Sequence, residues 1–337
     1  MKRVVLLMLV AVIVLGGFSV AKAQDAKTIA EIVVESAGAA TPEFATLLAA
    51  VQAADPAVLE ALSNKDAKLT VFAPTDAAFA ALKEALGEDA FAGILADQAA
   101  LSGILLFHVL DGEVMSADVV AAFGEGNRFQ VPSLNGQVID IAKTEEGGIT
   151  INGAPLNLKM VDIKAANGVI HVIDAVMVPE SRTIAELVVE AAGAAEGAEF
   201  TTLLAAVSAA DPAVLETLSN PEAELTVFAP TDAAFAALKT ALGEEAFNAI
   251  LADKTALTNI LLYHVVPMRA SSFDVVKLLG MEKSMEVETA LEGSKFTVKL
   301  GDDGSVMIND AKVVVFNIDA ANGVIHVIDA VIVPPTK

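Results

Sequence analysis

The chain repeats itself. Phe44–Leu110 aligns with Phe200–Val266 at a constant offset of 156, with identical residues at 51 of 67 positions. Asn167–Pro179 recurs as Asn322–Pro334 at an offset of 155, and Thr28-Ile-Ala-Glu31 recurs as Thr183-Ile-Ala-Glu186. This period is far longer than the roughly 20–50 residues of a solenoid unit, so the duplicated object is a whole domain. A chain of 337 residues has room for two such units, at about 100–200 residues per domain. The expected boundaries are 24–180 and 181–337. The joint Val178-Pro179-Glu180-Ser181-Arg182 is too short for a flexible tether, so the copies are expected to touch.

Residues 1–23 stand outside the repeat. Lys2 and Arg3 precede an apolar run from Val4 to Leu15 and on to Val20, and Ala21-Lys22-Ala23 has the small-x-small pattern of a cleavage site. The segment reads as an export signal cleaved after Ala23. Val4–Ala21 also reaches the minimum length of a membrane anchor, but Gly16, Gly17 and Ser19 favour cleavage. No other segment is long and apolar enough to span a bilayer, so the expected location is secreted, extracellular or periplasmic. Lys+Arg number 21 against 44 Asp+Glu, a net charge of −23. Loss of Lys2, Arg3 and Lys22 with the signal takes it to −26. Such a surface excludes nucleic acid, which requires clustered cations to displace counterions, and disfavours anionic membranes. With no Cys in the chain, disulfides, thiol nucleophiles and Cys-based zinc sites are excluded.

Within a copy, helices come first. Thr28 and Glu31 form a capping box, Asp55-Pro56 and Asp211-Pro212 place an N-cap before a first-turn proline, and Pro74-Thr75-Asp76 opens a helix that stops at Gly87. Leu69–Phe72 is a short strand between them. Strands follow over Arg128–Val131, Val138–Ile141, Ile149–Ile151, Leu156–Ile163 and Val169–Val178. Asn135-Gly136, Gly147-Gly148 and Asn152-Gly153 mark the turns, and Asp302-Asp303-Gly304 and Asn309-Asp310 serve the second copy. Helices followed by a meander give an α+β domain.

Three boxes carry a family resemblance. Thr70-Val-Phe-Ala-Pro-Thr-Asp-Ala-Ala-Phe79 resembles the first signature of fasciclin-type domains and returns as Thr226–Phe235. Asn167–Pro179 and Asn322–Pro334 resemble the second. Leu105-Leu-Phe-His-Val109 and Leu261-Leu-Tyr-His-Val265 stand where the family has a Tyr-His motif, with Phe107 replacing Tyr in the first copy. The resemblance covers essentially the whole chain after the signal. It implies two tandem domains, each a β-wedge or sandwich meander with helices packed on it. It also implies extracellular adhesion and matrix contact, as in periostin-like animal proteins and secreted bacterial relatives. The partner it implies is an extracellular or cell-surface protein or glycan, with weak self-association as a further possibility.

The site residues read as follows. Phe107, His108, Tyr263 and His264 either form a partner-binding patch or hold the fold; His108 follows Leu101, Ile104 and Leu105 on an apolar helix face, which favours the second. His171 and His326 sit inside Val-Ile-His-Val-Ile, and buried histidines usually hydrogen-bond backbone groups. A metal-dependent hydrolase would pair His108 with His171 and Asp174, and in the second copy His264 with His326 and Asp329. Thr75-Asp76 and Thr231-Asp232 read as helix N-caps, and Asn167-Gly168 and Asn322-Gly323 as turns. No Walker loop, Gly-x-Ser-x-Gly elbow or His-Glu-x-x-His motif occurs, so no cofactor, metal or catalytic residue is expected. An adhesion module leads; an envelope protein that associates with itself is the alternative.

Overall fold

The structure is a computed structural model and describes residues 26–40, 42–279, 283–301 and 304–335. The expected signal over 1–23 and the Asp302-Asp303 turn lie outside these. In the first copy the order is α1 (Ile29–Ala37), α2 (Ala45–Ala53), α3 (Pro56–Ser63), β1 (Leu69–Pro74), α4 (Asp76–Leu86), α5 (Glu88–Ala96), α6 (Gln98–Phe107), β2 (Val109–Asp111) and α7 (Ser116–Ala122). Then come β3 (Arg128–Pro132), β4 (Val138–Lys143), β5 (Ile149–Ile151), β6 (Ala154–Pro155), β7 (Ile163–Ala165) and β8 (Gly168–Ile173).

Local chemistry explains most helix starts. The Thr28 amide donates to the Glu31 carboxylate (2.7 Å) while the Thr28 hydroxyl accepts from the Glu31 amide (3.3 Å). Asp55 caps α3 through the Ala57 amide, with Pro56 in the first turn. Thr75 caps α4 through the Ala78 amide, and Gly87, at φ 84°, takes the left-handed conformation that ends it without a Cβ penalty.

The sheet is not a simple meander. β1 pairs antiparallel with β2 and parallel with β8, and β7 completes this sheet. β3, β4, β5 and β6 form a second, antiparallel sheet. The parallel pair joins the start of the domain to its end, with every residue of both strands buried. At its entry, a Cβ on Gly168 (φ 145°) would lie 1.9 Å from the Leu69 carbonyl oxygen, so only glycine fits. Asn167 is fully buried beside it. Its side chain accepts from the Ile29 amide (2.8 Å) and donates to the Leu62 carbonyl (2.9 Å), tying α1 and α3 to β8. The turn reading of Asn167-Gly168 understated this residue.

The second copy runs α8 (Ile184–Ala192), α9 (Thr201–Ala209), α10 (Pro212–Ser219), β9 (Leu225–Pro230), α11 (Asp232–Leu242), α12 (Glu244–Ala252), α13 (Lys254–Tyr263), β10 (Val265–Val266) and α14 (Ser272–Leu279). It ends with β11 (Ser284–Glu288), β12 (Lys295–Leu300), β13 (Val306–Ile308), β14 (Ala311–Ala320) and β15 (Gly323–Ile328). Here the strands form one seven-stranded sheet, in the order β10-β9-β15-β14-β13-β12-β11. The difference has a sequence cause. Between Pro155 and Asp162 the first copy has six residues, and between Lys312 and Asn317 the second has four. The shorter connection lets β14 run through as one bulged strand. The longer one folds into a turn.

Two strand expectations are therefore corrected. Leu156–Ile163 is not a strand: a single bridge, Leu156 to Ile173, and the start of β7 are all that pair there. The final strand stops at Ile173 rather than Val178, because Asp174 turns outward and the chain leaves the sheet. Each copy has two packed clusters, one between helices and sheet and one around the antiparallel strands. Among the described residues no single helix is long and apolar enough to cross a membrane.

The copies touch through a polar clamp. Arg269 pairs with Asp319 (2.8 Å) and donates to the Ala320 carbonyl and, across the boundary, to the Gly136 carbonyl (both 3.1 Å). Asp319 accepts from the Val138 amide (2.7 Å). The Asn317 amide group donates to Gln130 (3.1 Å), and Gln137 exchanges two hydrogen bonds with the Glu180 backbone (2.7 and 2.8 Å). Burial raises the pKa of Asp319 even though the Val138 amide and Arg269 favour its charge, so the pairing offsets a real desolvation cost. A double-mutant cycle on Arg269→Ala and Asp319→Ala, read by chemical unfolding, should give a coupling energy of about 1–3 kcal/mol. Scattering from either variant should show a more extended chain. Additive single effects with an unchanged shape would refute the clamp.

Candidate functional site

The four histidines are the densest concentration of chemistry in either copy, and all four are buried. His108 caps the C-terminus of α6. Its Nδ1 faces the Ile104 carbonyl at 2.8 Å and its Nε2 accepts from the Met177 amide at 3.0 Å. His264 repeats the arrangement with Ile260 (2.7 Å) and Ile332 (3.1 Å). A carbonyl only accepts and an amide only donates, so both rings are assigned as neutral, with the proton on Nδ1. In β8 the roles of the nitrogens are reversed: His171 Nε2 donates to the Val114 carbonyl (2.8 Å) and Nδ1 accepts from the Asp162 amide (3.2 Å). His326 does the same with Ala270 (3.0 Å) and Asn317 (3.2 Å).

Every ring nitrogen thus has a backbone partner and none is directed at a substrate space. His108 and His171 answer to different backbone segments and do not share a ligand position. Asp174 is exposed and meets the Asn157 side chain (3.3 Å), while Asp329 accepts from the Lys312 amide (2.8 Å). Among the described residues no group of three or more His, Cys, Asp or Glu side chains could hold a metal ion. Phe107 and Tyr263 are buried too. The Tyr263 hydroxyl donates to the Lys295 carbonyl (2.8 Å) and accepts from Asn309 (3.2 Å), linking α13 to β12 and to the turn before β14. Phe107 offers no such link.

Thr75 and Thr231 cap their helices, accepting from the Ala78 (3.1 Å) and Ala234 (3.0 Å) amides. The aspartates beside them do something the sequence reading missed. Asp76 accepts from the Thr46 (2.7 Å) and Ala45 (3.2 Å) amides and so caps α2 from another helix. Asp232 does the same at Thr201 and Thr202. Burial opposes the charge on Asp76, but these donors outweigh it and hold its carboxyl below the usual range. The signal available in the sequence was that neither α2 nor α9 carries a cap of its own.

What the sequence did not reveal lies on β14. Val314, Val315 and Phe316 are exposed in succession, at 47%, 46% and 36%. Bulges between Val313 and Ile318 break the in–out alternation. β13 pairs with β14 only at Ala311 and Lys312, so beyond Lys312 no described strand covers that edge. Exposed apolar residues on an open strand edge mark a contact surface.

Burial pushes both His108 and His264 down to about 4 from 6.5, although the Ile104 and Ile260 carbonyls favour the proton. The unfolded chain therefore takes up protons near pH 6.5 that the folded chain refuses until about 4. Stability is full above the unfolded value and falls as pH drops between the two, by about 3 kcal/mol per histidine. Denaturant unfolding at pH 7 and 4.5 should show this loss, and His108→Gln with His264→Gln should flatten it; an equally steep slope in that variant would assign it to other groups. Tyr263→Phe, which copies the first domain, should cost about 1–2 kcal/mol through the Lys295 and Asn309 partners it strands. Thermal unfolding measures this directly, and an unchanged midpoint would show the hydroxyl to be idle.

Comparison with known proteins follows the same division into two. A family model described as Fasciclin domain matches residues 42–179 and 198–334. The chain is 45% identical over 142 residues to Protein sll1483 of Synechocystis sp., covering 42% of this chain and 71% of that protein. It is 28% identical over 270 residues to Transforming growth factor-beta-induced protein ig-h3 of Oryctolagus cuniculus, covering 79% of this chain and 35% of that one. To Periostin of Homo sapiens it is 34% identical over 178 residues, covering 53% of this chain and 18% of the relative. It thus spans about a third or less of either animal protein. A solved FAS1 domain pair from the insect cell adhesion molecule Fasciclin I is 19% identical, covering 89% of this chain and 98% of that one, with a TM-score of 0.39. With two matched segments that together take in most of its length, the chain belongs to the fasciclin domain family and carries that domain twice.

Proposed function

We propose that this protein is an exported, non-enzymatic adhesion module that contacts an extracellular or cell-surface protein or glycan, and that the exposed β14 segment Val314–Phe316 is part of the contact. Family membership supports an adhesion and binding role. The observation that carries the site is the run of three exposed apolar residues on an otherwise alternating strand. Phe107, His108, Tyr263 and His264 are too deeply buried to meet a partner, so the reading gives them, with His171 and His326, the task of holding each domain together. Duplication suits a weak binder, because a second linked module raises effective concentration without new contacts.

Export by residues 1–23, with cleavage after Ala23, belongs to the same reading, as do domain limits at 24–180 and 181–337. The acidic surface favours uncharged or cationic partners. Val315→Thr with Phe316→Ser should leave the thermal midpoint nearly unchanged, since both side chains are already solvated. Retention of the full chain on immobilised envelope and matrix fractions should fall about tenfold, as for the loss of a hot-spot residue. Undiminished retention would remove β14 from the proposal. Mass analysis of the exported protein should find Gln24 at its N-terminus.

A further inference from the structure

The second domain contains an apolar cavity of about 330 Å³ between β9, β10, α14 and the β11–β12 hairpin. Its walls include Val266, Val275, Met285, Phe296 and Val298. Thr226 is the one hydroxyl in the lining, and it is already committed, donating to the Met268 carbonyl (2.7 Å) and accepting from the Ala270 amide (2.9 Å). Met268 and Leu278 are 46% and 57% exposed and belong to the lining, so the cavity reaches the surface along an apolar path. Glu286 and Glu288 stand on exposed β11 positions of the same wall.

The first domain shows what fills this space when it is closed. Met285 pairs with Val298, and Val298 with Ile308; Phe129 pairs with Ile141, and Ile141 with Ile151. The registers make Met285 the counterpart of Phe129. At the constant offset of 156, Leu279 is the counterpart of Phe123. In the first domain these two rings meet edge to face, with centroids 4.9 Å apart. In the second, both rings are gone and the fold around them is kept.

We propose that the second domain binds an uncharged, apolar small molecule in this cavity and that the first does not. The volume lies within the roughly 300–1,000 Å³ of ligand pockets and is about twice that of apolar cavities known to take up benzene-sized guests. The lining offers contact area and no polar group to orient a head group, so the guest is hydrocarbon or aromatic rather than a sugar or nucleotide. The carboxylates on its wall, in a chain of net charge −23, select against fatty acids and other anions. The two flexible thioethers, Met268 and Met285, adapt to guests of different outline.

The test uses N-phenyl-1-naphthylamine, an uncharged fluorophore that brightens in apolar surroundings, titrated into the full chain. One saturable site per chain is expected. Leu279→Phe with Met285→Phe rebuilds the first domain's ring pair and should weaken binding at least tenfold while the thermal midpoint holds or rises. If that double variant fails to fold, Met268→Glu, at an exposed position, should weaken binding by a similar factor. The anionic dye 1-anilinonaphthalene-8-sulfonate should bind more weakly at low salt and recover in Glu286→Gln with Glu288→Gln. Absence of saturable binding, or full affinity in the ring-pair or Met268→Glu variant, overturns the proposal. Val315→Thr with Phe316→Ser should bind the dye normally, which separates this cavity from the adhesive segment.

Discussion

Everything in each domain hangs on two strands that meet in parallel although nearly a hundred residues separate them. Leu69–Pro74 lies beside Gly168–Ile173, and Leu225–Pro230 beside Gly323–Ile328. Parallel strands cannot be joined by a hairpin, so the helices and the meander are what the chain does between leaving one strand and returning to the other. The return is fixed at its entry by a glycine that lets backbone approach backbone, and by a buried asparagine that reaches two helices. The histidines extend the same closure. The His108 carbonyl accepts from the Phe72 amide, so the ring that caps α6 also sets the height of β1. Uncharged imidazoles suit this work because each offers one donor and one acceptor in a rigid ring.

The sequence discloses what local physics decides. Capping boxes, Asp-Pro starts and glycine stops act within a turn of the chain, and the helices begin and end where those signals stand. Burial of the histidines was legible from their apolar neighbours. The identity of their partners was not, because Met177 and Ile332 lie more than sixty residues away. The parallel pairing was hidden for the same reason. Leu156–Ile163 misled because an apolar run without a turn residue looks like a strand, whereas two extra residues relative to the second copy were enough to fold it over. The helix at Ser272–Leu279 had a usable signal in Ser271-Ser-Phe-Asp274, where hydroxyl and carboxylate close a capping box. Its counterpart at Ser116 has Met115 in the cap position and gave less warning.

Acidity reads differently once the carboxylates are placed. Glu31, Asp55, Asp76 and Asp97 all accept from amides at helix N-termini, as do their counterparts in the second copy. A helix N-terminus carries partial positive charge, so part of the excess acid is structural and not available for steering a partner. The remainder faces solvent, and it is against this background that an exposed stretch of three apolar residues stands out.

Divergence between the copies is informative because the repeat holds the backbone nearly constant. Arg269 and Asp319 fall on the same positions as Glu113 and Lys164, so the pair that grips the neighbouring domain is reversed in sign on the first copy. Glu113 there lies near Lys68 at 3.8 Å. The contact is thus directional: the second domain receives a turn of the first, and the first has no matching receptor. A heterologous contact that could repeat would generate open arrays, and the reversed charges oppose that outcome. The exposed β14 segment and the vacated ring pair also fall on the second copy. The first domain keeps the closed core and supplies the turn, while the second combines the grip, the exposed strand edge and the cavity. On this view the duplication gave one copy freedom to change because the other, clamped to it, did not.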